Sequence, residues 1–222
     1  MKTNLYILFT LLVCSMAVNA QDYRQAFVDV QQQFEQRLKT APDELKNYLE
    51  DYPYTVYEDE IHTMLGVLYT EKEQYKRAIN TFGKVRVKNL SRTTEPMFHF
   101  YLGYAHLQQQ DYDRALNSML RIKDKNSTYT LHAKYYTGYC YYAQKDYQRA
   151  LIEFLNLEKH GGYNQVAPYY VVQIYYAQGE YKKVYERAEK LLKQYPDNQY
   201  NDEMHRMLGE MYYQDSLYTD AV

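Results

Sequence analysis

The chain has 222 residues, a formal charge of −2 and a sequence pI of about 6.3. This near-neutral balance gives no support for nucleic-acid binding, which usually requires a basic face. Glycine (8) and proline (5) are scarce, which disfavours turn-rich β folds and disordered linkers. Tyrosine is abundant, with 30 residues, and tryptophan is absent.

The first twenty residues have the parts of a signal peptide. Lys2 provides the positive start, residues 5–18 are apolar, and small residues precede Gln21. We therefore predict cleavage after Ala20 and export of the remaining chain. The apolar run of 14 residues is shorter than the roughly 20 residues of a spanning helix, so we expect no transmembrane span. An uncleaved membrane anchor is the alternative.

The chain has two cysteines. Cys14 lies in the signal segment, but Val13 stands where a lipoprotein signal normally has a small residue, which counts against lipid attachment. After cleavage only Cys140 remains, so the exported chain cannot form an internal disulfide. Cys140 lies in an apolar helical run and lacks the partners of a catalytic thiol, which indicates a buried small side chain.

Residues 21–58 predict a divergent, capping helix pair. Its first helix has an apolar face at helical spacing, formed by Tyr23, Phe27, Val30, Phe34 and Leu38. A second helix is expected to start at residues 40–42 and to end at Pro53. The polar stretch "QQQFEQ" suits the outer side of a terminal repeat, which must face water.

One motif then recurs along residues 59–222. Four glycines share an apolar context at spacings of 37, 35 and 71 residues: Gly66, Gly103, Gly138 and Gly209. Val172 occupies the same position in a further copy, near the middle of the last interval. Each copy continues with a short polar turn, a tyrosine and a small residue three positions later. A period of about 35 residues predicts stacked supersecondary units.

Each unit predicts two helices, because apolar residues recur at helical spacing on both sides of the turn. A turn this short makes the two helices antiparallel. The units start near residues 59, 96, 131, 165 and 202, and the last is truncated just after its second helix begins at Tyr218. We expect the glycine of the first helix and the alanine of the second to allow close approach. Because Val172 replaces the glycine, the fourth unit is expected to pack more openly.

These units resemble the tetratricopeptide repeat family, whose signature combines leucine–glycine, tyrosine, alanine and an aromatic residue over about 34 residues. In one unit Leu65, Gly66, Tyr69, Ala78 and Phe82 fill those positions. The family's leading tryptophan is missing throughout. The tyrosine–proline spacers followed by "YEDE" and "YNDE" are similar to those of exported tetratricopeptide proteins of Gram-negative envelopes. The resemblance implies an all-α, right-handed α-solenoid of antiparallel helix pairs.

In this family the first helices line a concave groove that holds ligands. Positions three before, one after and four after the glycine share one helix face. In units two to four they predict partner-binding residues, namely Phe100, Tyr104, Tyr135, Tyr139, Tyr142, Tyr169, Gln173 and Tyr176, with Leu107 as the last position of unit two. The same offsets give Thr63, Val67 and Thr70 in unit one and Arg206, Glu210 and Tyr213 in unit five.

The strip in units two to four contains no lysine, arginine or asparagine, which argues against a clamp for a terminal carboxylate. We expect it to hold an extended or helical polypeptide segment by ring stacking and hydroxyl hydrogen bonds. The alternative is that these tyrosines have no binding role and reflect only the composition of the chain, because it uses tyrosine in its core positions as well.

No catalytic, cofactor-binding or metal-binding pattern is recognisable, since the histidines lack the spacing of zinc ligands. The sequence therefore predicts a non-enzymatic protein-interaction scaffold of the bacterial envelope, periplasmic or outer-membrane associated, with a protein or peptide partner. Three alternatives stay open: an extracytoplasmic sensor of a longer signalling protein, the docking arm of an enzyme, and an outer-membrane assembly factor.

Overall fold

The computed structural model describes the backbone of residues 22–219 and the side chains of residues 22–213. The predicted signal segment lies outside this range. Helix α1 spans residues 22–35. The helices that follow are α2 (Ala41–Asp51), α3 (Glu58–Glu71), α4 (Tyr75–Phe82), α5 (Thr94–Gln108), α6 (Tyr112–Met119), α7 (Thr130–Ala143), α8 (Tyr147–Leu157), α9 (Val166–Ala177), α10 (Tyr181–Gln194) and α11 (Asn201–Thr219), with a 3₁₀ turn at Val87–Asn89. Strands are absent from the described range, and none of its helices is long and apolar enough to cross a membrane.

Turns of one geometry connect the helices in four pairs: α3–α4, α5–α6, α7–α8 and α9–α10. The middle residue of each three-residue turn has a left-handed backbone, with φ of 58, 59, 61 and 72° at Glu73, Gln110, Lys145 and Gly179. This conformation ends a helix and turns the chain back. Asp111 and Asp146 then cap the following helices by accepting a hydrogen bond from the backbone N–H three residues later, at 3.2 Å in each case. The helix–turn–helix pairs predicted for units one to four are thus confirmed.

The described residues form two compact units, one ending at Ala105 and the other beginning at His106. The core of the first includes Val30, Phe34, Leu45, Leu65, Phe82 and Phe98. A core cluster of the second includes Val172, Val184, Ala188, Leu191, Met204 and Met207. Each cluster draws side chains from several consecutive helices, because a single pair cannot bury both of its apolar flanks.

The repeated glycine makes room for an aromatic ring. A Cβ at Gly66 would lie 2.5 Å from Cε1 of Phe82, and one at Gly138 would lie 3.1 Å from Cζ of Phe154. The sequence predicted that the glycine and the alanine allow close approach of the two helices. The nearest neighbours of the glycine include the phenylalanine four positions after that alanine, whose ring lies against it.

The helix pair of repeat unit four (α9 and α10) inverts this arrangement. By position in the repeat, Val172 replaces the glycine and Ala188 replaces the phenylalanine. Both side chains are completely buried in one cluster. The larger side chain thus lies on the first helix instead of the second. Much of the combined side-chain volume between the two helices is conserved. Whether this pair packs more openly stays a prediction.

An aromatic stack joins the helix pair of repeat unit three (α7 and α8) to that of repeat unit four (α9 and α10). Tyr170 of α9 lies parallel to Phe154 of α8, with ring centroids 4.6 Å apart and an interplanar angle of 6°. Tyr139 and Tyr142 of α7 approach Tyr170 at 6.0 and 5.4 Å, with interplanar angles of 88 and 70°. Edge-to-face and offset-stacked pairs are the favourable geometries for aromatic rings. Tyr170 is therefore the packing centre between the two pairs.

Helix α11 differs from the sequence prediction. The repeat places a turn before Tyr218, whereas α11 continues as one helix to Thr219. Residues 220–222 lie outside the described range.

The ring–glycine contact can be tested with two matched substitutions. Gly66→Ala should lower the free energy of unfolding by about 1–3 kcal/mol, because the new Cβ collides with Phe82. Gly209→Ala is the control: among the described atoms, a Cβ there meets nothing within 4 Å. Since alanine favours a helix by up to about 1 kcal/mol over glycine, this control should be neutral or stabilising. Urea unfolding followed by circular dichroism measures both, and equal losses would contradict the packing role of Gly66.

The stack can be tested in the same assay. Tyr170→Ala should lower the unfolding free energy by about 3–5 kcal/mol, because it leaves a cavity against Phe154. Tyr139→Ala removes a ring that meets Tyr170 only at its edge, so it should cost at least ~2 kcal/mol less. A greater loss from the Tyr139 substitution would show that the packing centre lies elsewhere.

Candidate functional site

The three tyrosines predicted on α7 lie on one face and are partly buried: Tyr135, Tyr139 and Tyr142. Burial raises the pKa of each of these phenols. At neutral pH all three hydroxyls are therefore protonated and can donate hydrogen bonds. Because the same rings surround Tyr170, part of their surface is used in packing and the remainder is accessible.

A surface pocket of about 270 Å³ lies beside this face. It is lined by Leu107, Gln108, Gln110, Tyr112, Tyr135, Tyr136 and Tyr139. None of these lining residues carries a charge, and glutamines and tyrosines supply hydrogen-bonding groups next to apolar ring surface. The pocket thus offers a place for an uncharged side chain, with polar groups at its edge.

Gln173 of α9 connects neighbouring first helices. Its Nε2 donates to the hydroxyl of Tyr169 at 2.8 Å and to Oε1 of Glu203 at 3.4 Å. Its Oε1 accepts a hydrogen bond from the hydroxyl of Tyr142 at 3.3 Å. With three partners, this amide is held in one orientation. Gln173 therefore has a structural role in joining α7, α9 and α11.

Helix α11 brings carboxylates against the predicted strip. Tyr176 donates a hydrogen bond to Oε2 of Glu210, and Glu203 contacts Gln173. The hydrogen bond from Tyr176, followed by that from Arg206, lowers the pKa of Glu210, and the bond from Arg206 lowers the pKa of Glu203. The uncharged strip predicted from units two to four is thus bordered by ionised side chains of unit five.

Tyr169 is also part of the packing. Its ring stacks on Tyr200, with centroids 4.3 Å apart and an interplanar angle of 14°. Burial raises the pKa of Tyr169, so its hydroxyl remains a neutral hydrogen-bonding group. Of the residues predicted on α9, Tyr169 and Gln173 are both engaged within the protein.

Sequence reasoning missed Tyr170, the centre of this cluster. It lies two positions before the glycine-equivalent Val172, outside the chosen offsets. The residues at the same position in units one and five are Met64 and Met207, which are buried. This recurrence of large side chains is the signal that could have identified it as a packing position.

Phe100 and Tyr104 belong to the compact structural unit that ends at Ala105. Both are partly buried, and their rings lie nearly parallel, at 18° with centroids 6.4 Å apart. Tyr75 approaches Tyr104 edge-on at 6.4 Å. These two predicted residues form a local aromatic cluster with Tyr75, and a role in ligand binding stays a prediction.

The groove positions proposed for unit one are wrong. Thr63, Val67 and Thr70 are buried, with at most 3% of each exposed. The two threonine hydroxyls donate to backbone carbonyls four residues earlier, both at 2.8 Å. Val67 belongs to the same core cluster as Phe34 and Leu45, so neighbouring helices cover this face of α3. Leu107 of unit two is buried as well, with 7% exposed.

Reactive groups do not converge in the described part of the chain. No group of three or more histidine, cysteine, aspartate or glutamate side chains there could hold a metal ion. Cys140 is free and buried, and burial raises the pKa of its thiol to about 12. The thiol therefore stays protonated at neutral pH and is a poor nucleophile.

Family models of the tetratricopeptide repeat match residues 63–130 and 132–159, which together are just under half of the chain. A search of curated proteins found no match. The matched ranges contain the second predicted unit and most of the first and third. They support the repeat assignment and leave the exported envelope type as a prediction.

Solved structures with this fold include several tetratricopeptide proteins. YrrB, described as a TPR protein with an unusual peptide-binding site, is 19% identical, with 77% of this chain and 84% of that chain covered and a TM-score of 0.64. MamA is 18% identical, with 80% and 93% covered and a TM-score of 0.64. A tetratricopeptide repeat protein from Parabacteroides merdae is 16% identical, with 90% and 80% covered and a TM-score of 0.66.

Such low identities show the fold alone. The predicted all-α solenoid class of antiparallel helix pairs is confirmed by the helices and by these neighbours. Proteins built from such repeats generally mediate protein–protein interactions and are typically not enzymes. Family models and solved structures therefore agree that this chain is similar to tetratricopeptide repeat proteins.

Proposed function

We propose that this protein is a non-enzymatic interaction scaffold of the bacterial cell envelope that binds a polypeptide segment on the tyrosine face of α7. The observation that carries the proposal is the uncharged pocket beside Tyr135 and Tyr139. Both rings are only partly buried, so they present apolar surface and a hydroxyl at one place. Tyrosine is enriched in binding patches because it offers this combination with little loss of side-chain entropy.

The chemistry of the face favours an uncharged segment. An apolar side chain of the ligand would enter the pocket, and Gln108 and Gln110 at its rim would hydrogen-bond to the ligand backbone. Both glutamines are exposed, so they can reorient to meet it. Gln173 is less suited to this task because its amide is already bonded within the protein. The peptide-binding site for which YrrB is described gives a precedent for such binding on this fold.

The envelope location rests on the sequence. The first twenty residues have the pattern of a cleavable signal, and the tyrosine–proline spacers resemble those of exported tetratricopeptide proteins. We propose that the protein acts in the periplasm or in association with the outer membrane after cleavage behind Ala20. Mass spectrometry of the protein purified from the envelope fraction would test this through the mass of its N-terminal peptide.

Site-specific photocrosslinking in intact cells tests the binding face. A photoreactive phenylalanine analogue at Tyr139 should give a discrete adduct with a polypeptide partner, because this position lines the pocket. The same probe at Gln148, an exposed residue on α8 that does not line the pocket, is the matched control and should give none. Mass spectrometry of the adduct identifies the partner.

Two results would reject the proposed face. The absence of any adduct from Tyr139, or equal adducts from Tyr139 and Gln148, would mean that the tyrosines of α7 serve packing alone. If the face is used, adding Gln108→Ala should reduce the yield of the Tyr139 adduct. It should not alter thermal unfolding, because the Gln108 side chain is exposed.

A further inference from the structure

The pocket beside Tyr139 is built from two consecutive repeat units. Its lining comes from the end of α5, the turn after it, the start of α6 and the middle of α7. Every lining residue belongs to the compact unit that begins at His106. The helices that follow in the chain, α8 to α10, are described over their full length, and none of their side chains lines the pocket.

The hydrogen-bonding groups of the lining are hydroxyls and amides. Burial raises the pKa of Tyr135 and Tyr139, and the nearby phenol of Tyr112 raises that of Tyr139 further, so these hydroxyls keep their protons at neutral pH. Gln108 and Gln110 are exposed, and each side-chain amide carries two N–H donors. None of the described lining residues is acidic. The pocket therefore offers several uncharged donors to the carbonyl groups of a ligand.

Aromatic rings supply most of the apolar lining, namely those of Tyr112, Tyr135, Tyr136 and Tyr139. All four residues are partly buried. Tyr135 and Tyr136 meet edge-on, with centroids 5.1 Å apart and an interplanar angle of 67°, and Tyr139 rests on Tyr170 at 6.0 Å. Rings that are held by such contacts give the pocket rigid walls, against which flat or cyclic side chains can pack.

The size of the pocket favours an extended segment over a helix. One turn of an α-helix, about 10 Å wide and 5.4 Å high, occupies roughly 420 Å³, whereas the pocket measures about 270 Å³. An extended segment needs less space because it inserts single side chains. Among extended conformations, the polyproline II helix is already formed in proline-rich chains, so its ordering costs little entropy on binding.

We propose that the segment bound at this pocket is proline-rich and adopts the polyproline II conformation. Proline has no backbone N–H, so consecutive prolines present carbonyl acceptors without donors, which matches the hydroxyls and amides of the lining. Their rings would pack on the tyrosine rings, as proline-rich segments do in other aromatic-lined grooves. This inference rests on the proposed binding face and specifies its ligand.

Two mirror-image peptides test the conformation. Fluorescein-labelled octaproline, made either of L-proline or of D-proline, is titrated with the protein, and fluorescence anisotropy is measured. The two peptides have the same composition and apolar surface but form helices of opposite hand. We expect saturable binding of the L-proline peptide. Binding of the D-proline peptide should be at least about fivefold weaker, because the opposite hand moves at least one carbonyl away from its donor.

Consecutive glutamines supply matched protein variants. Gln108→Ala removes an amide of the lining and should weaken binding of the L-proline peptide about fivefold. Gln109→Ala changes an exposed neighbour that does not line the pocket and should leave the affinity unchanged. Tyr139→Leu keeps an apolar side chain but removes the ring, which should weaken binding at least about fivefold. Circular dichroism confirms that each variant is folded.

Three results would overturn the proposal. They are the absence of saturable binding of the L-proline peptide up to about 1 mM protein, equal affinity for the two peptides, and equal affinity of the Gln108→Ala and Gln109→Ala variants.

The photocrosslinking experiment separates this failure from that of the proposed function. A discrete adduct between Tyr139 and a partner segment without proline would retain the binding face and reject the proline-rich ligand. The absence of an adduct, together with the absence of octaproline binding, would reject both.

Discussion

The contact between an aromatic ring of one helix and a glycine of its partner sets the spacing on which the other features depend. Gly138 admits the ring of Phe154, and Tyr170 of the following pair stacks on that same ring. One side chain thus fixes both the distance within a pair and the junction to the next. A larger residue at Gly138 would displace Phe154 and with it the stack. The inverted arrangement of Val172 and Ala188 shows that volume between the helices is conserved, while the helix that supplies it can change.

This packing limits what remains available for a ligand. Tyrosine can fill a core with its ring and still present a hydroxyl, so one residue type serves both purposes here. On α9 the predicted residues serve mainly the packing of the protein itself. Tyr169 stacks on Tyr200, and Gln173 makes three hydrogen bonds. On α7 the rings are shared between Tyr170 and a surface pocket. The binding face proposed near Tyr139 would therefore have a rigid floor, and a rigid floor reduces the entropy lost on association.

The charge of the surface beside Tyr139 bears on the partner proposed for it. The pocket there is lined by uncharged residues, so an uncharged segment would fit it. Elsewhere in the chain, the rings of Tyr69, Tyr141 and Tyr175 lie under arginine or lysine side chains. A cation over a tyrosine ring thus stabilises the helix pair internally.

The sequence by itself determined the helix pairs, the turns and the close approach at the glycine, because these depend on local periodicity and on residue size. It could not show that the ring of Phe82 meets Gly66, that Thr63 and Val67 are covered, or that Tyr170 is central. Nor could it show that Glu203 contacts the strip through Gln173. Only the tertiary structure decided these points, because a tyrosine or threonine on a helix face becomes buried or exposed according to the side chains that neighbouring pairs place against it.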